Sequence, residues 1–222
     1  MTPVICTVDV VLLTLDKGAL SVALFKRDKE PFAGRHALPG GFIHAEADKT
    51  AFDAALRVLK DKTGVTSPYL EQLATYSGAD RDPRGWSVSI VYFALVPKAV
   101  LDIAGTSDMR IENVDALRSL PFDHLDIVRT AVSRVRSKSV YSSLPVYLLP
   151  KEFTLGELQE TYETVMGEPV DKVTFRRKMD QLAMLEPTGE LDRSRPNRPA
   201  QLFRLKKEFR HTLSTVVRPL NS

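Results

Sequence analysis

Apolar positions at the start of the chain fall into two long runs, residues 3–14 and 19–27, rich in β-formers and separated by Asp16-Lys17-Gly18. Two such runs joined by a short glycine-containing turn predict a β-hairpin. Pro39-Gly40-Gly41 then breaks the chain before a short apolar strand at 42–43. Over residues 49–62 the period changes. Ala51, Ala54, Ala55, Val58 and Leu59 form one helical stripe, and Gly64 ends it as a left-handed cap. A strand pattern near 69–76 follows, then a turn-rich DRDPRG at 80–85 and a strong strand, WSVSIVYFALV, at 86–96. An amphipathic helix is expected over 123–137. Strands and helices mixed without strict alternation predict an α+β fold or an αβα sandwich.

A second unit is expected beyond SSLPVYLLP, where two prolines mark a boundary around 141–150. We place the two domains at 1–145 and 146–222. Thr154 is a good helix N-cap, and Glu157 completes a capping box. Leu155, Leu158, Tyr162 and Val165 then share a face, and Gly167 ends the helix. Asp171 caps the next helix, with Phe175, Met179 and Leu182 inward and Lys172, Thr174, Arg176 and Arg177 away from that stripe. After Leu185, ELDRSRPNRPAQLFRL reads as an Arg/Pro loop leading into a short strand at 201–205. Helix, turn, basic helix and basic β-loop is the pattern of a winged helix-turn-helix.

Composition is that of an ordinary globular protein, with 43% hydrophobic and 27% charged residues. The lone cysteine, Cys6, excludes an internal disulfide and fits a reducing cytoplasm. No apolar run reaches membrane-spanning length, Asp9 interrupting the N-terminal one. The four histidines have no ligand-like spacing and read as ordinary surface or core residues. The net charge of +3 is uninformative, but its distribution is not. Residues 172–222 carry twelve Lys/Arg against five Asp/Glu, whereas 150–171 carry one Lys against six acidic residues. A nucleic-acid surface and a solvated basic face both fit this charge taken alone.

One motif carries chemistry. Residues 39–65, PGGFIHAEADKTAFDAALRVLKDKTGV, are laid out like a Nudix box, whose helix supplies Mg²⁺-binding glutamates. Gly40, Gly41, Arg57 and Gly64 match its frame. The positions expected to hold Glu are Val58, Asp61 and Lys62, which share a helix face and sum to zero charge. Mg²⁺ is held by carboxylates together with substrate phosphates, so efficient metal-dependent hydrolysis is not expected. No catalytic residue and no metal ligand is assigned. The alternative is a pyrophosphatase with a degenerate metal site built from Glu46, Asp48 and Asp61. In the second unit, Lys172, Thr174, Arg176 and Arg177 are candidates for base edges and phosphates. Arg193, Arg195 and Arg198 on the wing are candidates for flanking phosphates or a minor groove.

The chain resembles the Nudix-related transcriptional regulators of NAD metabolism (NrtR-type), which join a Nudix-like domain to a winged helix. The resemblance spans nearly the whole chain. It rests on LPGGF (38–42), KTGV (62–65), PYLEQL (68–73), DRDPRGWSVSIVYFAL (80–95), LLPKEFTLGELQETYE (148–163) and TFRRKMDQLAMLEPTG (174–189). It implies a cytoplasmic homodimeric repressor that binds operator DNA near NAD biosynthesis or salvage genes, needs no cofactor, and is released by ADP-ribose or a related metabolite. For such a ligand, Arg27, Arg35, Arg81 and Arg84 are candidate phosphate forks, and the Gly40-Gly41 amides can approach phosphate closely. Phe42, Tyr76 and Trp86 are candidates for stacking. Glu46 and Arg57 complete the candidate pocket, Arg57 as a residue that orients neighbouring carboxylates.

Overall fold

A computed structural model describes residues 3–65, 69–104, 108–193, 199–210 and 213–215. Contacts divide the chain into two compact units. Residues up to Val132, apart from Lys17–Ala19, make the first, and Lys17–Ala19 with the chain from Ser133 onward make the second.

The first unit is built on a seven-stranded sheet. The hairpin pairs β1 (Ile5–Asp16) with β2 (Ala19–Lys26), and the sheet order is β3-β2-β1-β6-β5, with β3 (His36–Ala37), β5 (Leu70–Gly78) and β6 (Ser87–Leu95). β4 (Gly40–Phe42) pairs antiparallel with β1, and β7 (Met109–Asn113) pairs antiparallel with β2. β1 and β6 run parallel, in register from Ile5↔Ser87 to Leu13↔Leu95. β1 is buried on both faces, which is why its sequence is a run rather than an alternation. Val8, Val10 and Leu12 join one core cluster with Ala54, Ala55, Val58 and Leu59 of α1 (Ala51–Thr63) and with Tyr92, Ala94 and Val96.

Helix α1 is fixed at both ends. Thr50 and Asp53 form a reciprocal capping box, and Gly64 takes the left-handed conformation at φ 67°. Several elements, the two-residue β3 among them, differ from the reading of the pattern. Gly40 and Gly41 do not merely break the chain; they belong to β4, with Gly40 opposite Asp9. A methyl group on Gly40 would lie 1.9 Å from the Asp9 carboxylate oxygen, so only glycine lets these strands approach. Helix α2 (Lys98–Ala104) and strand β7 carry too short a pattern to be recognised without their partners. The helix expected at 123–137 is α3 (His124–Ser139).

In the second unit, residues 144–148 of the expected linker form a buried 3-10 turn, because Leu144, Val146, Tyr147 and Leu148 are all core residues. β8 (Phe153–Thr154) leads into α4 (Leu155–Met166), whose capping box unites Thr154 and Glu157. α5 (Lys172–Leu182) is capped by Asp171. The Tyr162 ring packs edge-on against Phe175, and its hydroxyl donates to the Ser142 carbonyl at 2.8 Å. β9 (Leu185–Asp192) and β10 (Ala200–Leu205) pair antiparallel, so Glu190–Asp192 continue a strand where a loop was expected.

The Gly40 contact is directly testable. Gly40→Ala should destabilise the fold by about 1–3 kcal/mol, the usual cost of overpacking a closed site, read as a lowered midpoint in urea unfolding.

Candidate functional site

A cleft of about 620 Å³ opens in the first unit beside β1 and β4. Its floor is organised by Asp9, which is 7% exposed. Ser89 donates its hydroxyl to Asp9 at 2.6 Å, Arg81 lies 3.8 Å from the carboxylate, and His124 Nε2 lies 3.7 Å away. His124 Nδ1 accepts the Leu38 N–H at 3.1 Å. That leaves the proton on Nε2, facing Asp9. Burial lowers the pKa of His124, which keeps the ring neutral; Asp9 and Asp123 oppose that effect.

Three arginines on this cleft are each held as a fork. Arg81 grips Asp123 through Nε and Nη2 at 2.9 and 3.0 Å. Arg84 grips Asp82 at 3.0 and 2.7 Å and lies over the Phe42 ring. Arg57 grips Asp48 at 2.8 and 2.7 Å and also donates to the Phe42 carbonyl. Arg27 is different. Its side chain donates to the Pro31 and Lys29 carbonyls and stacks over Phe122 at 4.9 Å, so no carboxylate appears among these contacts. Guanidinium groups fixed in this way keep further N–H donors for an incoming anion at little entropic cost.

The cleft brings together seven of the eleven residues read from sequence as ligand contacts: Arg27, Gly40, Gly41, Phe42, Arg57, Arg81 and Arg84. The other four stand elsewhere. Arg35 lines a separate hollow of about 320 Å³ with Arg110 and Arg118. Glu46 is solvent-exposed in the loop before α1. Tyr76 lies on β5 opposite Ser89, away from the cleft lining, and Trp86, half exposed, accepts the Ile5 N–H through its carbonyl. Asp9, Asp82, Phe122 and His124 were missed. For Asp9 the signal was available: a carboxylate inside an apolar strand must be answered by buried partners. His124 gave a weaker one, because burial of a helix-initiating histidine is set by tertiary packing.

The residues do not fit a Nudix magnesium site. Val58, at a position where the box has Glu, is a core residue, and its methyl group would meet a side chain on Gly41 at 2.9 Å. Asp48 is engaged on both oxygens by the Arg57 fork and also accepts the His44 N–H. Lys62 brings an ammonium group to the cleft wall beside Asp61. Hard cations need several convergent oxygens, and here one carboxylate is committed to arginine while a cation takes a ligand's place.

The second unit presents a different surface. Asp171 accepts the Thr174 N–H at 2.8 Å and fixes the first turn of α5. Phe175, Met179 and Leu182 are buried, whereas Lys172, Arg176 and Arg177 are exposed and Thr174 is half-buried. Arg193 is exposed at the end of β9; Arg195 and Arg198 lie outside the described residues.

Comparison with known proteins fits both halves. Residues 6–139 match the NUDIX domain family, and residues 145–205 match the NrtR DNA-binding winged helix domain. The chain belongs to the NrtR family. It is 41% identical to the ADPR responsive transcriptional repressor NtrR of Acinetobacter baylyi, over 89% of this chain and 80% of that protein. The crystal structure of Shewanella oneidensis NrtR complexed with a 27mer DNA superposes with a TM-score of 0.90 at 38% identity, covering 97% of this chain and 99% of that one. The NUDIX domain of the same Shewanella protein, complexed with ADP ribose, covers 60% of this chain and 90% of its own, with a TM-score of 0.55 at 38% identity. In this NrtR-family chain, no described helix is long and apolar enough to cross a membrane.

The Arg57 fork predicts a pH signature. It and the His44 amide hold the Asp48 carboxyl down to about 2 from an ordinary 3.8. A depressed carboxylate contributes stability that is fully present above its unfolded pKa and lost as pH falls through the folded one. Asp48→Asn should therefore melt below the parent protein at neutral pH. The gap should close between about pH 4 and pH 2, followed by differential scanning fluorimetry across that range.

Proposed function

We propose that this chain is a ligand-responsive transcriptional repressor that leaves its operator when ADP-ribose fills the cleft of the first unit. One observation carries the reading: Nudix metal-ligand positions are replaced by a core valine and a lysine, while fixed arginine forks remain around the cleft. Such a pocket recognises a diphosphate without the means to cleave it. ADP-ribose suits its dimensions, since its two phosphates meet Arg27, Arg81 and Arg84, and Phe42 offers a ring face.

The working division is an effector domain, 1–145, and a DNA-binding domain, 146–222. The protein acts in the cytoplasm as a homodimer on paired half-sites, about one helical turn apart, near genes of NAD metabolism. Lys172, Thr174, Arg176 and Arg177 enter the major groove, and Arg193, Arg195 and Arg198 flank it. Ligand and DNA are thermodynamically linked: each weakens the other by the same factor. No cofactor is required. The Nudix fold itself supports a second reading, slow pyrophosphate cleavage using Glu46, Asp48 and Asp61; Mg²⁺-dependent release of AMP would favour it.

The test is fluorescence anisotropy of the full chain on DNA from upstream of its own and neighbouring genes, titrated with ADP-ribose in the absence of Mg²⁺. Sequence-selective binding reversed by ADP-ribose is the expected result. Arg84→Ala should raise the ADP-ribose needed for half-release by roughly tenfold, the loss of one charge-assisted contact. Selective binding indifferent to ADP-ribose would contradict the effector assignment.

A further inference from the structure

On α5, one strongly exposed side chain is apolar. Val173 is 75% exposed, between Lys172 and the half-buried Thr174, on a helix whose packing face is filled by Phe175, Met179 and Leu182. Folding gives no reason for it. An exposed β-branched residue adds nothing to the core, and an alanine would favour the helix more. Its neighbours on the helix surface are three and four residues on, and both are exposed arginines, Arg176 and Arg177. The outward face therefore presents branched methyl groups flanked by two guanidinium forks.

In the major groove these chemistries have different complements. Guanidinium forks match the N7 and O6 acceptors of guanine, and apolar side chains match the 5-methyl group of thymine. We propose that Val173 reads a thymine methyl, and that this thymine lies within two base steps of a guanine read by Arg176 or Arg177. The spacing follows from dimensions. Helix neighbours at i+3 and i+4 have Cβ atoms about 5–6 Å apart, and successive base pairs rise about 3.4 Å. The inference rests on the DNA-binding reading given above and names one of the determinants of its specificity. Arg176 and Arg177 supply the attraction to DNA; Val173 makes the choice between thymine and the other bases.

The experiment separates the two layers. The full-length protein selects duplexes from a random-sequence pool, and each thymine of the enriched site is then replaced singly by deoxyuridine, which removes only the methyl group. We expect one thymine per half-site, beside a guanine, at which this replacement weakens binding about fourfold, the effect of one buried methyl. Val173→Ala should abolish that discrimination, leaving thymine and deoxyuridine within twofold of each other. Because the side chain is exposed and alanine is a better helix former, the variant remains folded.

An enriched sequence in which every thymine tolerates deoxyuridine would overturn the thymine assignment and leave DNA binding intact. So would a Val173→Ala variant that still discriminates at the same position. A variant that instead loses self-association, with base preference unchanged, would assign Val173 to a contact with a second copy and overturn the proposal. Failure to enrich any sequence would overturn both layers together.

Discussion

A carboxylate in the middle of a buried strand must be answered by the groups around it, and Asp9 is answered from four sides. The Ser89 hydroxyl donates to it across the parallel β1–β6 ladder, the His124 imidazole and the Arg81 guanidinium face it, and Gly40 gives it room. Removing a charge from water costs several kcal/mol unless partners compensate, so these four residues are mutually constrained. Their placement sets the rest of the cleft. Arg81 reaches Asp123, the residue before α3, and His124 accepts the Leu38 amide just ahead of β4. An exposed pair such as Arg110–Glu112, on β7, contributes at most about 1 kcal/mol. The buried cluster decides the geometry; the surface pairs decorate it.

The same logic explains what became of the Nudix box. Its frame persists because the frame is structural. Thr50 and Gly64 cap the helix, Gly40 and Gly41 admit close packing, and Arg57 ties Asp48 and the Phe42 carbonyl to α1. The metal-binding face, by contrast, is in our reading given to other work. Val58 packs into the core and Lys62 brings positive charge to the wall. In our reading the phosphate affinity once supplied through a cation is carried by arginine forks fixed in advance.

Sequence reading recovered what is local and lost what is tertiary. The hairpin, α1 with its Gly64 cap, β6 and the Thr154–Glu157 capping box follow from periodicity and end signals within a dozen residues. The boundary prolines at 145 and 150 pointed to a loop, yet Leu144–Leu148 is buried because Tyr147 and its neighbours are held by residues more than sixty positions away. In the site, arginines near the box were named because phosphate chemistry calls for them, and Arg27, Arg57, Arg81 and Arg84 line one cleft. Arg35, named by the same argument, is the residue just before β3 and lines the second hollow rather than the cleft. Asp9 was visible as an interruption of an apolar run, but its meaning depends on Ser89 and His124, eighty and more residues downstream.

The central claim is that the cleft binds a nucleotide diphosphate through its own side chains rather than through a metal. Isothermal titration calorimetry of ADP-ribose into the full-length protein, in excess chelator and again with Mg²⁺, addresses it directly. The same affinity in both buffers, with intact ADP-ribose recovered afterwards, is the expected result. Binding that appears only with Mg²⁺, or ligand recovered as AMP and ribose 5-phosphate, would contradict it.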